Sequence, residues 1–101
     1  MKSCFHTKVV GVTFTNAQNI IPRLKPDMGL KLVRQHDNPH DSNAIAVFFA
    51  NHHLGYLPKS VSQKLAPLID SGSCRKVTVA NITGGYNNTF YGLNIKIQLN
   101  D

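Results

Sequence analysis

Apolar positions along this chain recur mostly with a period of two, the mark of extended backbone whose side chains face alternate ways. Residues 8–14 bring Val10, Val12 and Phe14 to one face. That parity predicts a first strand with Phe14 in the core. Residues 29–35 set Leu30 and Leu32 against Lys31 and Val33, and predict a second strand. From Ala44 to Ala50 both parities are apolar, as in a strand covered on both sides. Leu54-Gly55-Tyr56-Leu57 follows as a short strand, residues 76–82 align Val77 with Val79, and Leu93-Asn94-Ile95-Lys96-Ile97-Gln98-Leu99 alternates most cleanly.

The breaks carry their own information. Asn51-His52-His53 predicts a hairpin turn with both imidazoles in solvent, and Gly84-Gly85 with Asn87-Asn88 predicts a longer loop before the last strand. Asp37-Asn38-Pro39-His40-Asp41-Ser42-Asn43 is a dense run of turn formers, longer than a tight hairpin needs. Between 58 and 70 the period changes. Pro58 suits a first helical turn, and Val61, Leu65, Leu68 and Ile69 share one side at helical spacing. Pro67 lacks the N–H a helix interior needs, so two short helices are expected, 59–65 and 66–70. Residues 18–24 offer one more short turn, limited by Pro22.

These elements predict a mainly β protein with short helices (α+β). The expected architecture is a compact OB-like or SH3-like six-stranded β-barrel with a helical insertion. With 101 residues there is room for one domain, 1–101, with its core in about 8–99.

Charge changes the picture of what the barrel meets. Eleven Lys and Arg stand against five acids, all Asp, for a net charge of +6. That balance favours polyanionic partners, although plain solubility accounts for it as well. The cations are scattered, so folding must assemble any basic surface. Cys4 and Cys74 stand far apart in no motif, and the start MKSCFHTKVVG has no signal-like apolar stretch. Buried free thiols and a cytoplasmic location, nucleoid-associated in a bacterium, are therefore expected. No stretch is long and apolar enough to span a membrane, so no membrane partner is expected.

Catalysis has no foothold. There is no Glu, no phosphate-binding Gly loop, no nucleophile elbow and no CxxC, so no catalytic residue, metal or cofactor is assigned. Asp37, His40 and Asp41 cluster with His36 and could in principle hold a nuclease metal, but Asx-turn capping of the loop accounts for them more simply. Nucleic-acid binding has more material: aromatic faces for bases, in Phe14, Tyr56, Tyr86, Phe90 and Tyr91, and cations for phosphates, in Arg34 and Lys59. Of these rings Tyr86, in its Gly/Asn loop, should be the most exposed.

The order of segments is familiar. Val9-Val10-Gly11-Val12, Leu32-Val33-Arg34, the NPxDxNAIxV run from Asn38 to Val47, Gly55-Tyr56-Leu57-Pro58 and Leu65-Ala66-Pro67-Leu68 together resemble the HIRAN domain. The resemblance implies an OB-like barrel with helical insertions and a non-catalytic module of the kind found in helicase-like remodelling enzymes or standing alone. It implies binding of single-stranded DNA at a free 3′ end, in DNA repair or replication-fork processing, beside a helicase or nuclease partner. Carried over by position, it makes Phe14 a base-stacking residue, His40 a second stacking or edge contact, and Asp41 the acceptor of the 3′-hydroxyl. Tyr56 and Lys59 would approach phosphates, while Asn38 and Asn43 would hold the loop. Thr13, His40 and Tyr56 stand where the 3′-end-binding relative has Arg, Tyr and His, so Thr13 marks a lost phosphate contact. The alternative is a protein-interaction or accessory domain with only non-specific affinity for nucleic acid.

Overall fold

Among the described residues six strands form, and they divide into two antiparallel sheets of three. A computed structural model describes residues 4–13, 16–87 and 89–100. One sheet has the order β1-β6-β5, with β1 Cys4–Lys8, β6 Tyr91–Leu99 and β5 Cys74–Gly84; the other has β2 Lys31–Arg34, β3 Ile45–Phe49 and β4 His52–Tyr56. A short helix α1 (Ala17–Ile20) runs into a 3-10 turn, Ile21–Arg23, and α2 (Lys59–Asp70) links β4 to β5.

The core lies between the sheets. Leu93, Ile95 and Ile97 of β6 face inward with Val77 and Val79 of β5, against Ile45, Val47 and Leu54 from the second sheet. Ala44 to Val47 are buried at every position, which explains the apolar run on both parities. Ile21 and Ala17 close one end.

The two sheets meet through single bridges rather than one continuous closed ladder. Val10 and Tyr56 exchange both backbone bonds, at 2.7 and 2.8 Å, and Leu30 N–H donates to Val77 O at 2.9 Å. The first contact demands Gly55, where a Cβ would sit 2.4 Å from the Val10 carbonyl oxygen.

That contact also corrects the first strand. β1 runs from Cys4 to Lys8, and Val9 is the core residue, at 5% exposure, while Val10 and Val12 are only half-buried. The chain leaves β6 after Val9 to pair with β4 and then turns at Gly11, whose φ is +75°. A simple alternation through 8–14 therefore fails, and Phe14 lies outside the described residues.

Two further expectations are corrected. The hairpin turns at Ala50 and Asn51, with Ala50 at φ 53°, so His52 and His53 belong to β4. His53 is half-buried and stacks on Phe48, with centroids 5.0 Å apart. Helix α2 continues through Pro67 as one element. Gln63 and Pro67 are both exposed, so the carbonyl deprived of its donor meets water, while Leu65 and Ala66 hold the helix to the core. Its inward stripe is Ser62, Leu65 and Ala66, which leaves Val61 half-buried and Leu68 exposed.

The thiols also depart from expectation: Cys4 is exposed and Cys74 half-buried, and burial pushes the Cys74 thiol up. They flank β6 on opposite sides, opposite Gln98 and Leu99, so two strand spacings of about 4.8 Å separate them, too far for a bridge. Among the described residues, no helix is long and apolar enough to cross a membrane.

Candidate nucleic-acid interface

The loop between β2 and β3 is built from its own polar side chains. Asn38 Oδ1 accepts the backbone N–H groups of His40 and Asp41 at 2.9 and 3.1 Å, and Asp41 Oδ1 accepts that of Asn43 at 2.9 Å. These are Asx turns, which satisfy the backbone where no ladder can. Gln35 N–H donates to Ala44 O and Ala44 N–H to Asp41 O, closing the base of the loop at 3.0 Å each.

Gln35 then couples this loop to β4. Its Oε1 accepts from Asn38 Nδ2 and from the Tyr56 hydroxyl, both at 3.0 Å. The Tyr56 and His53 rings stand nearly perpendicular, with centroids 4.9 Å apart. Sequence reasoning missed Gln35. Its single signal was a polar residue at the edge of the loop, which many strand ends share.

Arg34 anchors the loop from beneath. Its Nη1 donates to Ser42 O and Ala44 O, each at 3.1 Å, and its Nε and Nη2 reach the two Asp70 oxygens at 3.1 and 3.4 Å. The side chain is 9% exposed, so most of its donors are spent inside the protein. His36 Nε2 approaches the same carboxylate at 3.3 Å. The Arg34 hydrogen bond, first of all, holds the Asp70 carboxyl below its ordinary value.

Beside the loop opens a pocket of about 320 Å³, with Val10, Ala44 and Leu57 contributing apolar wall and Asn38, His40, Asp41, Tyr56 and Lys59 contributing polar groups. Five of the sequence-predicted residues thus converge. Asp41 is half-buried, and its second carboxylate oxygen has no described partner. Lys59 is exposed at the first position of α2, whose first turn has no acidic residue and no side-chain cap. Val61 and Ser62 N–H both donate to Pro58 O at 2.9 Å, while no described acceptor serves the N–H groups of Lys59 and Ser60. A carboxylate, an ammonium and the positive end of a helix therefore stand around one concavity.

Not every candidate joins it. Thr13 is exposed in the turn after Gly11 and is absent from the pocket wall. Phe14 lies outside the described residues, and Arg34 is the anchor described above. Tyr86 and Phe90 are 78% and 68% exposed beyond β5, whereas Tyr91 packs against the core. Asp37, His40 and Asp41 belong to no cluster of three metal-ligating side chains among the described residues.

Comparison with known proteins gives this geometry a context. The family described as the HIRAN domain matches residues 2–100. A Fanconi-associated nuclease 1 homolog from Arabidopsis thaliana is 42% identical over 65 residues, which is 63% of this chain but 7% of that protein. The crystal structure of the HIRAN domain of human HLTF superposes with a TM-score of 0.71 at 24% identity, covering 98% of this chain and 78% of that one. A protein from Lactobacillus plantarum gives a TM-score of 0.68 at 23% identity, covering 98% and 99%. At such identities the structural likeness speaks for the fold alone.

Proposed function

Since this chain belongs to the HIRAN domain family, we propose that it is a non-catalytic DNA-binding module for single-stranded DNA, with preference for a free 3′ end, working in DNA repair or replication-fork processing. HIRAN homologues, in HLTF and in a Fanconi-associated nuclease, support a DNA-binding role. The nuclease homolog makes a nuclease, or a helicase, the natural partner activity. The two sheets and the bridges joining them are read as an OB-like barrel that carries the binding pocket on one rim.

The observation that carries the reading is the convergence of Asn38, His40, Asp41, Tyr56 and Lys59 on one pocket. The Asp41 oxygen that has no described partner would accept a hydrogen bond from a 3′-hydroxyl. A phosphate at the same point would meet like charge, so the carboxylate separates a chain end from a chain interior. Lys59 and the open first turn of α2 would take the next phosphate along. Tyr56 would approach a phosphate beside Lys59, and His40 would contact the terminal nucleoside, with Phe14 stacking on its base and Thr13 at the margin.

Anisotropy of labelled oligonucleotides tests this: one with a free 3′-hydroxyl, one with a 3′-phosphate, and a circle without ends. Tightest binding to the free 3′-hydroxyl is expected, weakening as salt rises because phosphate contacts release counterions. Equal binding to all three would reduce the protein to a general DNA binder. No binding at moderate salt would leave the protein-interaction alternative.

A further inference from the structure

A second concavity, of about 340 Å³, lies between β1 and α2 and is lined by Phe5, Ser60, Val61, Lys64, Leu65 and Leu68. None of the DNA-pocket residues contributes to it. The groove exists because α2 turns Ser62, Leu65 and Ala66 inward, leaving Val61 and Leu68 without full cover.

The strand beside it is open. Among the described residues β1 is the edge of its sheet and pairs only with β6. Val9 donates to Leu93 O of β6, whereas Val10 exchanges both its backbone bonds with Tyr56 on the other side. Backbone groups in a strand alternate sides, so Phe5 and Thr7 point theirs to β6, and Cys4, His6 and Lys8 point theirs away. Among the described residues no other strand pairs with that outer edge of β1; only the Thr7 hydroxyl donates to it, at Lys8 O and 3.2 Å. An unpaired edge beside an apolar groove is a template for a further strand.

Side-chain alternation states what that strand must be. Residues 5 and 7 are partly covered, with Phe5 packed on the core, while Cys4, His6 and Lys8 are exposed on the outer face. Across a strand pair, directly opposed residues share a face. An added strand would therefore set alternate side chains into the groove against Phe5, Val61 and Leu68. Its other side chains would lie beside His6 and Lys8, with Lys96 directly across from His6 on β6. Neither β1 nor β6 contains an acid, and among the described residues Lys64 is the one charged group lining the groove.

We infer that the β1 edge and its groove bind an extended peptide segment in which apolar residues alternate with Asp or Glu, adding it as a fourth strand to the β1-β6-β5 sheet. The inference does not rest on the DNA reading, with which it shares only Ser60, whose backbone N–H belongs to the open first turn of α2. Such a segment would tether the module to an acidic stretch of a protein partner while the DNA pocket stays free.

The test uses the full chain and a short labelled synthetic peptide alternating Glu and Val, read by anisotropy. A Lys-Val and a Glu-Gly peptide serve as controls, with light scattering of the protein alone. Saturable binding of the Glu-Val peptide is expected, with neither control competing. Leu68→Asp, at an exposed position, should weaken it about tenfold by placing charge in the groove. His6→Pro removes an outward N–H without touching the β6 ladder, and should weaken it comparably. Unchanged circular dichroism would certify both folds. No saturable binding, equal binding of the Lys-Val peptide, or indifference to both variants would overturn the proposal. Self-association abolished by His6→Pro would assign the edge to a second copy instead. Loss of oligonucleotide binding in Leu68→Asp would assign the groove to DNA.

Discussion

The two ends of α2 both carry the wrong charge. Lys59 opens the helix and Asp70 closes it, yet a helix favours acids at its start and bases at its end, by about 0.3–1 kcal/mol each. At the C-terminal end the protein supplies its own remedy, because Arg34 and His36 meet Asp70. At the N-terminal end it supplies none: no cap, no acid in the first turn, and two N–H groups without a described acceptor. A charge with an internal partner is architecture. One left open at a pocket rim is where a ligand of opposite sign gains most.

The strongest way to break this comparison is at the anchored end. Arg34→Ala would strip the Ser42 carbonyl of its donor and free the loop from α2. Loss of such bonds from a largely buried side chain should cost on the order of 1–3 kcal/mol. The urea midpoint should fall, and oligonucleotide affinity with it, since the loop presenting Asp41 would loosen. Arg34→Lys should recover only part, because an ammonium cannot serve a carboxylate and two carbonyls in one plane. A wild-type midpoint in Arg34→Ala would show the clamp to be idle.

Asp41→Asn sharpens the comparison at the open end. Asn keeps an acceptor for the Asn43 N–H, so the midpoint should barely move. What should go is discrimination between 3′-hydroxyl and 3′-phosphate, by about tenfold or about 1.4 kcal/mol. Retained end preference in this variant would detach Asp41 from end recognition.

Lys59→Ala should do something different. Affinity for all three oligonucleotides should drop together by about 1 kcal/mol, and the salt slope should fall by about one. Stability should hold or rise by a few tenths of a kcal/mol, since a cation leaves the positive end of a helix. Binding measured from low to moderate salt, with thermal unfolding alongside, checks both signs. A large loss of stability would make Lys59 structural.

These effects bear on how much the sequence could tell. β6 was legible because one face is buried and the other is not, so Leu93, Ile95 and Ile97 alternate with polar neighbours. The β3 run was legible for the opposite reason, being enclosed on both faces. Parity misled at residues 8–14 because the chain changes partner at Val9 and Val10, from β6 to β4, and periodicity carries no record of which strand lies alongside. Pro67 misled because a local rule was outvoted by burial of Leu65 and Ala66 beside it. In the site, the motif residues converge, but Gln35 and the two duties of Arg34 were invisible. Both depend on what the fold brings within reach, Tyr56 and Asp70, from 21 and 36 residues away.

The smallest expected effect tests the clamp without removing it. Asp70 is held below its ordinary value of 3.8, chiefly by the Arg34 hydrogen bond. A carboxyl with a lowered folded-state pKa contributes stability that is fully present above the unfolded value and lost as pH falls through the folded one. Asp70→Asn keeps an acceptor near Arg34 but cannot titrate. The difference in urea midpoint between the wild type and this variant should therefore stay constant above about pH 5 and shrink below about pH 4. The group is exposed, so the difference should be small and should shrink further with added salt. A difference that persists undiminished into acid would mean that Arg34 holds the loop through the Ser42 and Ala44 carbonyls alone, with the carboxylate at the end of α2 an onlooker.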